Sequence, residues 1–354
     1  MYPRLEIDIK KIKENISFLS NKLNNNDLDL ILVTKSFCAL TEVLKELEDT
    51  NIKYIADSRI SNLKKNKDIN KEKILIRIPM LSEVEDVIKY SDISFNSELK
   101  TVLKLNEEAK NFNVVHKIVL MVDLGDLREG YINIDELYKV IEIIKTLKNI
   151  KLIGLATNLT CYGGVLPTNE NLNRLMDIKI KAQSIYEAKL DFLSGGNSSS
   201  LYLIENHEIP KGITNLRLGE SVLLGVSTAD MNFIDGMNHD VFKLQAEIIE
   251  IKEKPSIPIG EIGFAAFGVK PTFEDRGIRK RAILAIGKQD VNIDSIVPCE
   301  NSLKILGGSS DHMIIDITDS MKNYKIGDII DFNLNYSSLL MLSTSEYVYK
   351  KIKK

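Results

Sequence analysis

Lys35 directly follows the apolar run Leu30-Ile31-Leu32-Val33-Thr34. An amine at the carboxyl end of so apolar a strand is placed to act as a nucleophile. Burial disfavours the ammonium form and lowers the amine's pKa toward the neutral state that attacks an aldehyde. A single lysine is ordinarily a solvated charge, so its companions decide. Ser194-Gly195-Gly196-Asn197-Ser198-Ser199-Ser200 combines two glycines, which let the backbone approach an anion, with hydroxyls that can donate to it at a helix start. Arg217-Leu218-Gly219-Glu220-Ser221 is a second Gly/Ser turn with backbone N–H groups to offer. Either turn alone says little, because Gly-Gly and serine runs are common loop formers. Arg128 lies in the glycine-flanked loop Val122-Asp123-Leu124-Gly125-Asp126-Leu127-Arg128-Glu129-Gly130, where a guanidinium can hold a carboxylate through two parallel hydrogen bonds. Taken singly, a surface arginine paired with Asp126 or Glu129 is an equally good reading. Together, an amine nucleophile, two phosphate-type turns and a carboxylate clamp suggest pyridoxal phosphate acting on an amino acid.

The elements needed to position these groups are legible in the apolar pattern. Short runs occur at Leu30–Val33, Tyr54–Ala56, Ile74–Ile78, Ile93–Phe95, Ile118–Val122, Leu152–Ala156, Leu190–Leu193 and Leu216–Leu218. Between them, Leu40–Leu47, Glu83–Tyr90, Leu99–Phe112, Ile134–Leu147 and Leu172–Ala188 repeat apolar residues at three- and four-residue spacing, as helices burying one face do. Ser82 and Asn133 suit helix N-caps. Eight strand–helix alternations predict a parallel sheet closed into a (β/α)8 TIM barrel; an open doubly wound sheet is less consistent, since no GxGxxG turn opens the first unit. Such barrels carry their sites at the strand carboxyl ends, with phosphate at the loops after strands seven and eight, where the two Gly/Ser turns fall. From Val241 onward the alternation becomes β-type, through Lys243–Ile251, Ala282–Ile286, Ile314–Ile317 and Ile329–Leu334. The expected division is a barrel over 1–230 and a mostly β domain over 231–354.

With 44% hydrophobic and 27% charged residues over 354 positions, the composition is that of a globular chain rather than a disordered one. A net charge of -3 with interspersed signs gives no stripe for nucleic acid. No run approaches membrane-spanning length and no signal-peptide core follows Met1. Cys38, Cys161 and Cys299 have neither the spacing of a disulfide framework nor that of a zinc site. The expectation is a soluble cytoplasmic protein with no metal.

At these residues the chain resembles the alanine racemase superfamily of pyridoxal phosphate enzymes. The likeness rests on Val33-Thr34-Lys35-Ser36-Phe37-Cys38-Ala39, Ile55-Ala56-Asp57-Ser58-Arg59-Ile60, Gly195-Gly196-Asn197-Ser198, Leu216-Arg217-Leu218-Gly219-Glu220 and Ala285-Ile286-Gly287-Lys288-Gln289-Asp290. It covers both domains and is similar, more narrowly, to the branch whose substrate is ornithine. The resemblance implies that Lys35 carries the cofactor and serves as one of two acid–bases. Arg217 would face the pyridine nitrogen, whose proton a guanidinium cannot accept, so that the nitrogen stays unprotonated. Asn158, Asn197, Ser198, Gly219 and Glu220 would hold the cofactor, and Arg128 the substrate carboxylate. The departures are Ala39 for a phosphate-binding tyrosine, Met121 for a carbamylated lysine, Asn158 for a ring-packing histidine, and Lys288 for the tyrosine of the opposite face.

Racemisation needs a proton-transfer group on each face of a planar carbanion. Lys288, supplied by the second domain of the other subunit of a homodimer, is the first choice; His312, in Ser309-Ser310-Asp311-His312-Met313, is the second, against a structural reading as a hydrogen-bonded strand-end histidine. Ser310, Asp311 and Asp290 are the expected contacts for a cationic substrate side chain. Racemisation of lysine, alanine or serine, a non-catalytic pyridoxal phosphate-binding protein, and decarboxylation of ornithine are the competing readings.

Overall fold

A strand covered on both faces must be apolar at nearly every position, and that requirement fixes the first architecture. In the computed structural model, which describes residues 1–268 and 270–354, the chain opens with β1 (Arg4–Asp8) and α1 (Ile9–Asn24). There follow β2 (Asp29–Val33), β3 (Tyr54–Asp57), β4 (Glu72–Leu75), β5 (Ile93–Asn96), β6 (His116–Val122), β7 (Ile150–Thr157), β8 (Phe192–Asn197) and β9 (Asn215–Leu218). Each pairs in parallel with the next and β9 pairs with β2, closing an eight-stranded barrel. All eight expected strands are present. The third of them, β4, spans Glu72–Leu75 rather than Ile74–Ile78, and the residues from Ile76 belong to the loop at its carboxyl end. Ile31, Val33, Tyr54, Ala56, Ile74, Ile93, Phe95, Val119, Met121, Ala156 and Phe192 fill the interior, with Phe192 edge-on to both Tyr54 and Phe95.

The alternating helices are α2 (Thr41–Glu46), α3 (Ile60–Lys65), α4 (Val84–Tyr90), α5 (Leu99–Asn111), α6 (Ile134–Ile144), α7 (Asn169–Tyr186), α8 (Leu201–Glu205) and α9 (Glu220–Leu224). They bury one stripe, as Leu137, Val140, Ile141 and Ile144 do on α6. Asn133 caps α6 through Oδ1, which accepts from the Asp135 and Glu136 N–H groups. Ser82 does not cap α4. It sits inside a 3-10 turn, Leu81–Glu83, and Glu83 precedes the helix with its carboxylate engaged by Arg77. Helix α7 begins three residues before its apolar stripe because Thr168 and Asn171 form a reciprocal capping pair.

The second architecture is a mostly antiparallel sheet. Its elements are β10 (Phe242–Pro255), β11 (Ile278–Leu284), β12 (Ile296–Pro298), β13 (Lys304–Gly308), β14 (Met313–Asp316), β15 (Ile329–Leu334), α10 (Tyr336–Thr344) and β16 (Tyr349–Lys353), in the order β12-β15-β10-β11-β14-β13, and β16 pairs in parallel with β1. Along β10, Phe242, Leu244, Ala246 and Ile248 alternate inward, the period-two signature read from the sequence. The chain divides into residues 11–239 and residues 1–10 with 240–354, which differs from the expected boundary at 230 in two ways. β1 pairs antiparallel with β10, Leu5 opposite Leu244, and so draws the amino terminus into the second unit. Residues up to His239 stay with the barrel, where the Asn15 side-chain amide donates to the carbonyls of Val222 and Asn238 at 2.9 Å.

Candidate active site

Lys35 begins a 3-10 turn (Lys35–Phe37) at the end of β2. The preceding residue is fixed twice: the Thr34 N–H donates to the Ala56 carbonyl at 2.8 Å, and its hydroxyl donates to Asp57 Oδ2 at 2.7 Å. Asp57, fully buried, also accepts from the Arg59 N–H at 2.8 Å and from Asn62 Nδ2 at 3.1 Å. Burial pushes the Asp57 carboxyl up, and these hydrogen bonds work against that push. The Lys35 amine is held below its ordinary 10.5, first by burial and then by the charges of Arg128 and Arg217, with Cys161 and Asp57 opposing. The structure therefore gathers the expected nucleophile and both expected arginines into one electrostatic neighbourhood.

Arg217 is 5% exposed. It donates to Ser194 Oγ at 2.5 Å, to the Thr157 carbonyl at 2.7 Å and to Asn158 Oδ1 at 3.4 Å, and it lies over the Phe95 ring. These partners are uncharged, and burial brings its pKa down to about 10, so it remains a cation and a pure donor at neutral pH. Asn197 Nδ2 donates to Asn158 Oδ1 at 3.2 Å and to the Leu159 carbonyl at 2.8 Å, which ties the loops after β7 and β8 together. Gly196 has φ of 115°, and a Cβ there would stand 2.5 Å from Ser200 Oγ, so only glycine fits this bend. Ser198 Oγ and Ser221 Oγ lie 3.0 Å apart and join the turn after β8 to the turn after β9. Glu220 carries a carboxyl that burial pushes up and Lys35 pulls back.

Several buried polar atoms here have no partner among the described residues: Ser36 Oγ, Thr157 Oγ1, Asn158 Nδ2 and Ser199 Oγ. Each orphan costs about 1–3 kcal/mol unless a ligand satisfies it. The donor set fits pyridoxal phosphate: a half-buried amine for the aldehyde, a cationic donor for a ring acceptor, and hydroxyls with backbone N–H groups on two adjoining turns for the phosphate.

Gly130 turns the loop after β6 back on itself, with φ of 126° and the Tyr131 N–H donating to the Met121 carbonyl at 2.9 Å. At its tip Arg128 is paired with Glu129, Nε to Oε2 and Nη2 to Oε1, the latter at 2.5 Å. Of the two partners expected for a surface arginine, Glu129 is the one realised. Asp126 turns inward and accepts backbone N–H bonds from Cys161, Tyr162 and Val165.

In the second unit, the Lys288 N–H donates to the Ser309 carbonyl at 2.8 Å, Gln289 N–H to Ser310 at 3.1 Å, and Ser309 N–H to His312 at 2.9 Å. These bonds collect Lys288, Ser310, Asp311 and His312 on two adjoining loops. The Lys288 ammonium lies over the exposed Phe267 ring, 5.2 Å from its centroid. Ser310 Oγ donates to Asp311 Oδ2 at 2.7 Å, and Asp290 Oδ1 accepts from Ser345 Oγ at 2.6 Å. Asp290 and Asp311 line one open cavity with Gln289 and Tyr347. Asp57, Cys161 and Glu129 were not singled out as site residues from the sequence. Asp57 carried a signal by standing in a stretch that bears the family resemblance, and Glu129 had entered only as a possible partner of Arg128.

A family model for the alanine racemase N-terminal domain matches residues 7–226. The chain is 54% identical over 99% of its length to the whole of an ornithine racemase from Acetoanaerobium sticklandii. It is 37% identical over 99% of its length to a lysine racemase from Thermotoga maritima, 98% of which is covered. Among solved structures, an alanine racemase from Clostridium difficile 630 superposes with a TM-score of 0.78 at 20% identity, covering 100% of this chain and 96% of that one. The structural likeness concerns the fold; the sequence matches carry the family. The chain belongs to the alanine racemase family.

Proposed function

We infer that this protein is a pyridoxal phosphate-dependent racemase that interconverts L- and D-ornithine, as a cytoplasmic homodimer. The observation that carries the reading is full-length similarity to an ornithine racemase, supported by a half-buried amine whose pKa is lowered by burial and by the charges of Arg128 and Arg217. Pyridoxal phosphate, when bound, supplies an electron sink that acidifies the substrate's Cα–H. Lys35 takes up or returns the proton at Cα on one face, a task its lowered pKa favours. Arg217 donates hydrogen bonds and accepts no proton, so an acceptor facing it stays unprotonated. Arg128 orients the substrate carboxylate. Lys288 of a second copy serves the other face, with His312 as the alternative. The exposed aromatics Phe264 and Phe267 in the long β10–β11 connection support burial against that copy. Lysine is the second reading, favoured by the Thermotoga maritima relative.

A chiral assay on ornithine, lysine, alanine and serine with added cofactor tests this. D-ornithine should form fastest from L-ornithine. Lys288→Ala should retain cofactor yet fail to interconvert enantiomers. No D-ornithine from the wild-type protein at saturating cofactor overturns the assignment, and a fully active Lys288→Ala removes that residue alone.

A further inference from the structure

A diamino acid presents two cations and one carboxylate, so a site that prefers it must supply an anion for the distal ammonium. Among the carboxylates of the barrel mouth most are already committed. Asp57 is spent on Thr34, Arg59 and Asn62. Asp123 Oδ1 accepts from the Gly125 N–H at 2.8 Å and the Leu127 N–H at 3.2 Å. Asp126 accepts three backbone N–H bonds. Burial favours the neutral form of Glu220. Glu129 differs, because its one strong partner is a side chain that has another use.

Both oxygens of Glu129 sit on the Nε/Nη2 edge of Arg128, one of the two guanidinium edges on which a substrate carboxylate can form a two-bond grip. The Glu129 side chain is 20% exposed, and its charge acts on buried Arg217, so it faces the site rather than bulk solvent. We propose that Glu129 is a specificity-determining residue: it occupies Arg128 in the free protein, yields it to the incoming α-carboxylate, and pairs with the distal ammonium of the substrate. Two ion pairs then replace one, with no partly buried charge left over. A neutral amino acid taking Arg128 strands Glu129 without a cation, a state that partial burial penalises. The exchange makes the site selective against substrates that lack the second amine. This deepens the ornithine reading and rests on it.

The test compares L-ornithine with L-2-aminopentanoate, which has the same carbon chain without the terminal amine, in wild type, Glu129→Gln and Glu129→Asp. Both kcat/KM and the equilibrium Kd from titration are read for each substrate. In Glu129→Gln the ornithine to 2-aminopentanoate ratio should fall by roughly 30-fold, the scale of one charge-assisted hydrogen bond, through weaker ornithine binding with 2-aminopentanoate unchanged or improved. Glu129→Asp, which keeps the charge, should retain part of the preference. A ratio within about twofold of wild type in Glu129→Gln, with wild type active on ornithine, overturns the proposal and leaves the racemase reading standing. Wild type inactive on ornithine brings down both.

Discussion

Asp126 holds the loop after β7 with its carboxylate and with its backbone carbonyl, which accepts from the Gly163 N–H at 3.1 Å; replacing it with asparagine removes one of the two carboxylate acceptors. Oδ2 accepts the Cys161 N–H at 3.2 Å and the Tyr162 N–H at 2.9 Å, while Oδ1 accepts the Val165 N–H at 3.1 Å. The residue is fully buried. Asparagine can keep an oxygen toward Cys161 and Tyr162, but its amide then points two hydrogens at the Val165 donor. One hydrogen bond to a charged acceptor is lost and a donor is stranded, about 2–3 kcal/mol. Alanine loses all three bonds, about 3–5 kcal/mol once water reaching the exposed Cys161–Gly164 segment is allowed for. The carboxyl also sets an acid limit. Burial pushes its pKa up, but the backbone N–H bonds outweigh that and hold it below the ordinary 3.8. Its contribution is therefore present above about pH 4 and is lost as pH falls through the folded value. Urea unfolding across pH 3–7, with limited proteolysis at Tyr162, reads both effects: Asp126→Asn should be less stable at pH 7, cleave faster, and show a flatter acid limb. Stability within about 0.5 kcal/mol of wild type would refute the reasoning.

Two further outcomes follow from the surroundings of Lys35. Asp57→Asn can keep its hydrogen bonds, since Thr34 can turn its hydroxyl fully to the Ala56 carbonyl, 3.2 Å away; it should remain folded while the pH midpoint for cofactor uptake moves down, because Asp57 raises the Lys35 pKa. In the wild type, uptake by cofactor-free protein should rise with pH and level off below 10.5, the ordinary lysine value. Cofactor-free stability should rise from the uptake midpoint up to 10.5, because over that range the unfolded chain still holds the proton that the folded chain has lost. A midpoint at or above 10.5, measured by stopped-flow absorbance, contradicts the depressed amine.

The barrel was readable because strands buried on both faces are continuous apolar runs, and the turns carrying Ser198 and Gly219 fall where such a fold binds phosphate. The assignment of β1 was not readable: its partner β10 lies more than 230 residues away in sequence, and five residues carry too little pattern to announce so remote a pairing. Helix α1 escaped for the same want of a neighbour in the strand–helix count. Lys35 was accessible from type and place in the chain, and Arg217 and Asn197 through the family resemblance. Which of Asp126 and Glu129 takes Arg128 was not, since loop geometry, here the positive φ of Gly130, decides where adjacent carboxylates point.

The central claim is that the amine at the end of β2 is the one that captures the cofactor. Borohydride reduction of the pyridoxal phosphate-loaded protein, followed by proteolysis and mass spectrometry, tests it most directly. The added mass should lie on the peptide containing Lys35 and vanish in Lys35→Ala. Cofactor mass on Lys288 or on any other lysine instead, with Lys35 unmodified, would contradict the account.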